Sequence, residues 1–173
     1  MNIRETLHMK LRITRDDIAH LTSTQKINLR RLWVPKLYEI ALASVCVNVE
    51  TDQYAEFEFS IGSVLMRPNG AMQLKDLRAV DGYTPFDEEE REYEDPVSFS
   101  KEDCLPLLSI GEMIDMMQNV NFRNFHFYLL AGTGVTGCEV GHFRSALKDK
   151  ILTEGYQSEE LCDVLWHMIQ AQI

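Results

Sequence analysis

A glycine-rich segment at residues 132–137 has the residue spacing of a phosphate-binding loop. In the GxGxxG pattern, backbone N–H groups can hold a pyrophosphate if a helix begins at the loop. Here residues 135–141 follow, a β-branched and glycine-rich stretch that favours a hairpin turn over the start of a helix. Nucleotide-type binding or sequestration therefore remains an alternative function. Its candidate ligand-binding residues are the three glycines of the pattern and two arginines that would read the anion: Gly132, Gly134, Gly137, Arg123 and Arg144.

Residue types that perform other chemistry occur without a recognised arrangement. Cys138 and His142 lie four residues apart, but zinc needs three or four converging ligands, and the sequence has no second pair. It also has no GxSxG, P-loop or HExxH pattern. We therefore predict no catalytic residue, no metal site and no cofactor. A small enzyme without a recognisable motif remains a second alternative, since the partners of a nucleophile meet in space and not in sequence.

The cysteines and the chain's hydropathy indicate an intracellular environment. The four cysteines lie far apart without a CxxC pair, which is typical of reduced, mostly buried thiols. No apolar run reaches the roughly 20 residues that span a bilayer. Residues 1–8 lack the apolar core of a signal peptide. We expect a cytoplasmic protein without membrane contact, with these thiols free: Cys46, Cys104, Cys138 and Cys162.

An acidic run is the most distinctive charged feature of the sequence. Residues 87–95 carry seven acidic side chains and one arginine, a net charge of −6, between Pro85 and Pro96. This composition predicts an exposed loop at about 86–96. A solubilising loop is the simpler interpretation, but clustered carboxylates with an aromatic ring could also occupy a basic groove built for nucleic acid. The candidate partner-binding residues are Asp87, Glu88, Glu89, Glu90, Glu92, Tyr93, Glu94 and Asp95.

Basic residues are concentrated near the N-terminus. Residues 1–36 hold eight basic and three acidic side chains, whereas the whole chain has a net charge of −10. Because a negative protein repels the phosphate backbone, we do not expect direct nucleic-acid binding. Lys26, Arg30 and Arg31 are interpreted as the solvated face of a helix, and not as the phosphate contacts of a helix-turn-helix.

Capping patterns predict the helices. Thr14 begins a loose capping box for a short helix to about His20, and Ser109 begins a clear one for a helix that starts at Ile110. The other predicted helices have these limits: a cap at Ser23 or Thr24 and an end near Trp33; residues 143–152 with Gly155 after the end; and a last helix capped by Ser158, with an apolar stripe of Leu161, Leu165, Met168 and Ile169.

Alternating and β-branched runs predict the strands. Phe57, Phe59 and Ile61 alternate with polar residues, as in a half-buried strand. The predicted strands are residues 45–49, 55–66, 72–80, 125–130 and 135–140, with a turn at 68–70. The strands form two groups without regular βαβ alternation. This order predicts one α+β domain over residues 1–173, with a mainly antiparallel sheet packed against several helices.

Two segments resemble a known group of proteins. Residues 104–115, Cys-Leu-Pro-Leu-Leu-Ser-Ile-Gly-Glu-Met-Ile-Asp, are similar to a segment of small uncharacterised proteins from Gram-positive bacteria and their prophages. Residues 160–169 resemble the closing helix of the same proteins, and residues 22–35 resemble their opening helix more weakly. Together these segments cover about a quarter of the chain. The resemblance implies a phage or mobile-element context and implies no activity.

These observations lead to one main functional hypothesis. We expect an accessory protein of a phage or mobile element that binds a host macromolecule, with a host protein as the expected partner, in a role such as counter-defence. A homodimer is also predicted, because the strand at 124–131 carries large apolar residues on both sides and needs cover on both faces. Trp166 and Met168, beside the main stripe of the last helix, suggest the same surplus of apolar surface.

Overall fold

A computed structural model describes residues 9–80, 98–118, 126–130, 138–143, 152–158 and 160–173 of the chain. For residues 79–80 and the three short segments between 126 and 158, only the backbone is described. Contacts divide the chain into two compact units, residues 1–17 with 108–173, and residues 18–107. A single domain over the whole chain stays a prediction.

The unit of residues 18–107 contains a five-stranded antiparallel sheet. The alternating pattern around Phe59 correctly predicted its longest strand. The predicted strand at 72–80 ends early, at Asp76, because the carboxylate of Asp76 accepts the backbone N–H of Arg78 and a short helix begins there. The strands and this helix are β1 Ile40–Asn48, β2 Gln53–Met66, β3 Met72–Asp76, α3 Leu77–Val80, β4 Ser98–Ser100 and β5 Cys104–Pro106.

The sheet must curl strongly, because its two edge strands are joined by a very short link. Its strand order is β4-β3-β2-β1-β5, yet β4 and β5 are separated only by the 3₁₀ turn Lys101–Asp103. A flat sheet of five strands is roughly 19 Å wide, whereas three residues of 3₁₀ helix advance only about 6 Å. The turn contacts both β3 and β1, so the edges of the sheet approach each other.

The concave face of this sheet forms the apolar core of the unit. The ring of Phe99 on β4 lies 4.4 Å from that of Phe59 on β2, although β3 separates these strands in the sheet. Residues paired with them in register point to the same side. The buried apolar side chains on this face are Ala41, Ala43, Phe59, Ile61, Leu74, Phe99, Cys104 and Pro106.

Helix α2, Ser23–Leu32, packs on β5, where Leu29 is fully buried. Its cap is Thr22, so the expectation of Ser23 or Thr24 was wrong by one or two residues. Thr22 and Gln25 form a reciprocal capping box, and only Thr22 stands three residues before a glutamine. The shorter helix α1, Arg15–Ala19, precedes it, as the residues from Thr14 predicted.

The other unit contains two helices and a three-stranded antiparallel sheet. Helix α4, Ile110–Met117, begins with the predicted capping box of Ser109 and Glu112. Helix α5, Leu161–Gln170, contacts α4 and two strands of the sheet. Trp166 and Met168 are buried within the chain, so they do not supply surplus apolar surface. The strands, in spatial order, are β6 His126–Leu130, β7 Cys138–Phe143 and β8 Leu152–Ser158.

Three predictions for this unit need correction. The helix expected at 143–152 is wrong at both ends, because Phe143 closes β7 and Leu152 opens β8. Residues 144–151 between them lie outside the described part of the chain. Gly155 sits inside β8 opposite Gly141, and local sequence could not show that pairing. Ser158 ends β8, and the cap of α5 is Glu160, which makes no side-chain capping bond.

The N-terminal segment of residues 10–14 is fastened to this unit. Its backbone pairs with residues 108–110, through Ile13 N–H to the Leu108 carbonyl at 3.0 Å and Ile110 N–H to the Leu11 carbonyl at 3.1 Å. Lys10 places its ammonium 3.0 Å from Asp17 and 2.6 Å from Asp163, and its backbone N–H donates to Glu160. This use of Glu160 explains why its carboxylate does not cap α5.

The pKa values of Lys10 and Asp17 reflect this ion-pair cluster. Partial burial by itself disfavours the charge on Lys10, but hydrogen bonds to Asp163 and Asp17 outweigh it and raise the pKa of the ammonium. Burial likewise opposes ionisation of Asp17. Hydrogen bonds from Thr14 and Lys10 outweigh that effect and lower the pKa of its carboxyl group.

The described structure is therefore an α+β fold with antiparallel sheets and several helices, as the sequence predicted. Within the described residues, no helix combines the length and apolar character required to cross a bilayer.

The ion-pair cluster predicts how stability depends on pH. Lys10→Met should lower the free energy of unfolding by about 1 kcal/mol at neutral pH, as for partly exposed pairs. Because folding lowers the pKa of Asp17, its ionised carboxylate stabilises the folded state at pH values above 3.8, the ordinary pKa of the group. This stabilisation is lost as the pH falls through the folded-state pKa. Because folding raises the pKa of Lys10, its ammonium stabilises the folded state at pH values below 10.5, the ordinary pKa of the group. This stabilisation is lost as the pH rises through the folded-state pKa.

Urea denaturation at a series of pH values checks this prediction. The difference between the wild type and Lys10→Met should be largest near neutral pH and should shrink in acid. Lys101→Met is the matched control, since no described residue forms an ion pair with Lys101. A difference that stays constant down to acid unfolding would show that Asp17 contributes no charge interaction.

Candidate functional site

The candidate sites from the sequence lie outside the described residues. This applies to the acidic run at 87–95 and to its expected exposure at 86–96. It also applies to all five candidate ligand residues, Gly132, Gly134, Gly137, Arg123 and Arg144. Their roles stay predictions.

The strands that flank the glycine pattern are described, and their direction bears on the dinucleotide hypothesis. β6 and β7 are consecutive in the chain and pair antiparallel, with His126 opposite Phe143 and Leu130 opposite Glu139. A dinucleotide-binding βαβ unit joins parallel strands through a helix. β6 and β7 therefore do not form such a unit with each other. Residues 131–137 lie outside the described part of the chain, and the hairpin turn expected there stays a prediction.

Two of the three described thiols are poorly suited to nucleophilic chemistry. Cys104 and Cys162 are buried, and burial raises their pKa values to about 12 and about 11. Both thiols therefore stay protonated at neutral pH, whereas a nucleophilic cysteine must be a thiolate. Cys46 is free and exposed on β1. Among the described residues, no three histidine, cysteine or acidic side chains are grouped to hold a metal ion.

Two carboxylates are buried in the described structure, and one of them organises a surface loop. Asp76 is bound by Arg78 of its own turn. Glu39, which is 8% exposed, lies at the end of the loop from α2 to β1. Its Oε2 atom accepts hydrogen bonds from the indole Nε1 of Trp33 at 2.9 Å and from the backbone N–H of Lys36 at 3.1 Å. A single carboxylate thus ties both ends of the loop together.

The backbone of this loop, residues 34–38, is also fixed to the sheet. Tyr38 donates its N–H to the Ile61 carbonyl at 2.7 Å, and Ile61 donates to the Glu39 carbonyl at 2.9 Å. Tyr38 has φ +67°, in the left-handed region that a bulky residue rarely adopts. Such a conformation persists only where the surroundings impose it, and here the two hydrogen bonds to Ile61 and the Glu39 carboxylate do so.

The 34–38 loop displays apolar side chains to solvent. Val34 is 59% exposed, Leu37 is 52% exposed and Tyr38 is 71% exposed, while Pro35 between them is buried. A single exposed apolar residue is ordinary, but three within five residues of a pinned loop form a patch. This patch can bury apolar area against a partner with little further ordering of its backbone.

The stretch of sequence that ends with the loop is basic. Residues 18–38 contain four basic side chains and no acidic one, in a chain of net charge −10. Arg31 on α2 and Lys36 in the loop are exposed, and Ile27, one helical turn before Arg31, is 61% exposed. Exposed apolar side chains beside the exposed cations of Arg31 and Lys36 suit a surface that has both apolar groups and carboxylates.

The sequence analysis did not identify this loop as a site. It interpreted Pro35 as the end of a helix and Lys26, Arg30 and Arg31 as a solvated face. The signal was present as an apolar stretch, Trp33 to Tyr38, directly after a proline-terminated helix and without an acid before Glu39. Only the structure shows that Trp33 and Pro35 are buried while their neighbours are exposed.

Comparisons of the chain with protein-family models, with curated proteins and with solved structures found no match. The resemblance of residues 104–115 and 160–169 to prophage proteins therefore stays a prediction.

The buried carboxylate of Glu39 predicts a large stability effect for a single substitution. Glu39→Ala leaves the Trp33 indole N–H and the Lys36 N–H without this acceptor, and each buried donor that loses its partner costs about 1–3 kcal/mol. Glu39→Gln keeps an oxygen acceptor and should cost less. Chemical denaturation measures both variants, with Glu58→Ala, exposed on β2, as a control expected within about 0.5 kcal/mol of the wild type. Equal stability of Glu39→Ala and wild type would contradict the role of Glu39.

Thiol burial predicts the order of alkylation. Iodoacetamide at pH 8 should modify Cys46 in the native protein, while Cys104 and Cys162 should react only after denaturation, since both are buried and protonated. Peptide mass spectrometry with a second label after unfolding separates the sites. Rapid native modification of Cys104 or Cys162 would show that these thiols open to solvent.

Proposed function

We propose that the protein acts by binding another protein through the 34–38 loop. The observation that supports this proposal is the exposure of Val34, Leu37 and Tyr38 on a loop held by the buried carboxylate of Glu39. Binding energy in protein interfaces comes mainly from a few apolar or aromatic anchors, and pre-ordered anchors lose little entropy on association. Tyrosine is one of the residue types enriched at such positions.

The charge around the loop supports an acidic partner. The four basic side chains of residues 18–38 stand without an acid in that stretch, and Arg31 and Lys36 are exposed. Charges at the rim of an interface steer the encounter and exclude partners of the same sign. We therefore infer a partner surface, or a peptide segment, in which apolar side chains alternate with carboxylates.

A protein partner fits the loop better than a nucleic acid does. Single-stranded nucleic acids are held by aromatic side chains that stack on successive bases and by a basic groove along the backbone. The loop offers one aromatic residue, Tyr38, and the other two exposed apolar side chains, Val34 and Leu37, are aliphatic and cannot stack on bases. The net charge of −10 also repels a polyanion.

The resemblance to prophage proteins supplies the biological context of this proposal. In that context the partner is a host protein, and the binding serves an accessory role such as counter-defence. The acidic run at 87–95 is a second hypothetical contact region, of opposite charge to the 34–38 loop. Nucleotide-type binding at residues 132–137 remains the alternative function, and thermal-shift screening with nucleotides is its test.

Selection from a displayed peptide library tests the proposed function. Peptides enriched on the wild-type protein should combine apolar residues with Asp or Glu. Binding of a selected peptide, measured by fluorescence anisotropy, should weaken at least about tenfold in Leu37→Asp, which removes an apolar anchor and adds a repelling charge. Lys36→Glu should weaken it in a salt-dependent manner.

Leu65→Asp is the matched control, because Leu65 is a 44% exposed leucine on β2, remote in sequence from the loop. It should bind the selected peptide like the wild type. The proposal would be overturned if enriched peptides lacked acidic residues, or if Leu37→Asp bound them unchanged. Tighter binding of a single-stranded oligonucleotide at the loop would replace it by nucleic-acid binding.

A further inference from the structure

The strand β2 extends well beyond the strand that pairs with its outer side. β1 pairs with β2 from Gln53 to Ser60, whereas β3 pairs with it only from Ile61 to Met66. No described residue pairs with residues 53–59 on the side of β3. This part of β2 is called the open edge.

The open edge presents backbone donors and acceptors at alternate residues. Ile61 exchanges hydrogen bonds with residues 38–39, directly before β1, so its N–H and C=O groups point to the side of β1. Alternate residues of a strand direct these groups to the same side, and the residues between them direct theirs to the other side. Tyr54, Glu56 and Glu58 therefore direct their N–H and C=O groups away from β1. These groups fit the backbone of another extended segment.

The side chains along the open edge differ between the two faces of the sheet. Tyr54 is 58% exposed, and Glu56 and Glu58 are exposed beside it on one face. Phe57 lies on the other face, half-buried, with its ring 6.4 Å from that of Phe99 in the core. A segment that pairs with this edge therefore meets carboxylates on one face and apolar groups on the other, at alternate residues.

The hairpin that contains this edge has only acidic charges. Residues 40–66, which form β1, β2 and their turn, contain four acidic side chains and no lysine, arginine or histidine. The negative charge of Asp52 is the main reason why the pKa of the Tyr54 phenol is raised. Lysine and arginine side chains complement such a row of carboxylates, and their cations also bind to the face of an aromatic ring.

The open edge ends at a cleft of about 210 Å³ beside α3. Its lining includes Glu58 and Ser60 of β2 and Leu77 and Arg78 of α3. The guanidinium of Arg78 is bound to the buried carboxylate of Asp76, which offsets its charge locally. The cleft therefore leaves space for the end of an added strand.

We propose that the open edge binds an extended segment of another protein in which lysine or arginine alternates with apolar residues. The segment pairs antiparallel with β2, as the described neighbours in this sheet pair with each other. Its basic side chains lie beside Tyr54, Glu56 and Glu58, and its apolar side chains lie on the face of Phe57. In such strand addition, backbone hydrogen bonds supply affinity and alternate side chains supply specificity.

The charges argue against a second copy of the chain as the occupant. Pairing of two open edges would bring glutamates together, and each chain has a net charge of −10. Charged side chains on an edge prevent association with like edges, and here they still admit a basic strand. The homodimer expected from the strand at 124–131 depends on side chains outside the described part of the chain and stays a prediction.

This surface goes beyond the proposed function of the 34–38 loop. The loop lies beside exposed cations and suits an acidic partner, whereas the open edge suits a basic one. The two surfaces share no residue, and each is tested with a peptide of opposite charge. Either proposal can therefore fail without the other.

Binding of a short labelled peptide of alternating lysine and valine to the full-length protein tests the proposal by fluorescence anisotropy. The matched peptide of glutamate and valine should not bind. In antiparallel pairing the lysines exchange hydrogen bonds with β2, while the valine N–H groups point away from it. N-methylation of the lysine backbone should therefore weaken binding at least about tenfold, and N-methylation of the valine backbone should leave it unchanged.

Amide hydrogen exchange locates the bound strand on the protein. In the free protein, the N–H groups of Ala55 and Phe57 point to β1 and should exchange slowly, whereas those of Tyr54, Glu56 and Glu58 should exchange quickly. A saturating amount of the lysine–valine peptide should slow exchange at the latter three positions.

A charge reversal on the edge tests the role of the carboxylates. Glu56→Lys should raise the dissociation constant of the peptide at least about tenfold, because it places a like charge beside the lysines. Asp115→Lys is the matched control, since it makes the same change of charge at an exposed residue of α4. It should bind the peptide like the wild type. Unchanged thermal melting of Glu56→Lys shows that this variant still folds.

Several outcomes would overturn the proposal. One is a failure of the lysine–valine peptide to bind, and another is equally tight binding of its glutamate counterpart. Equal affinity of the peptide with N-methylated lysines would show attraction by charge without strand pairing. Unchanged binding to Glu56→Lys, or protection of amides only outside residues 53–59, would place the peptide on another surface.

Discussion

The three-residue link between β4 and β5 constrains most of the described fold of residues 18–107. These strands occupy opposite edges of a five-stranded sheet, and the 3₁₀ turn Lys101–Asp103 must connect them. The sheet can meet this requirement only by curling until its edges approach. Curling gives the sheet a concave face, on which Phe59 and Phe99 meet across an intervening strand, and it thereby creates a core from strands that a flat sheet would leave half exposed.

The same constraint explains where the unit exposes its surface. β2, with fourteen residues, pairs with β1 along its first part and with β3 along its second part. β5 pairs with only three residues of β1. The hairpin end at 44–54 therefore projects past the covered region. At the other end of β1, Ile61 near the middle of β2 holds Tyr38 and Glu39, so the 34–38 loop is fixed to the most constrained strand of the sheet.

Buried charge has a local role in this acidic chain. Glu39 is shielded from solvent but is not isolated, because it accepts hydrogen bonds from Trp33 and Lys36. A buried carboxylate with such donors fixes their positions more strictly than an apolar residue would, since any displacement leaves a polar group unsatisfied. The candidate surface of the 34–38 loop thus derives from a rigid feature, the buried carboxylate of Glu39. The cluster around Lys10 fastens the N-terminal segment by the same means in the other unit.

The sequence by itself determined the features that depend on near neighbours in the chain. The capping box of Ser109 and Glu112 spans three residues, and the alternation around Phe59 reflects the period of a single strand, so both were predicted correctly. The tertiary structure decided what depends on distant residues. Phe143 and Leu152, the two ends of an expected helix, lie in β7 and β8 because these strands pair with each other. Glu160 caps α5 without a side-chain bond because Lys10 engages its carboxylate. The tertiary structure also decided the exposure of Val34, Leu37 and Tyr38, because a sequence pattern ordinarily assigns apolar residues to a core. These side chains turn outward because Trp33 and Glu39 are buried and because the loop is hydrogen-bonded to a strand more than twenty residues away. A local sequence pattern cannot predict an interaction over that separation.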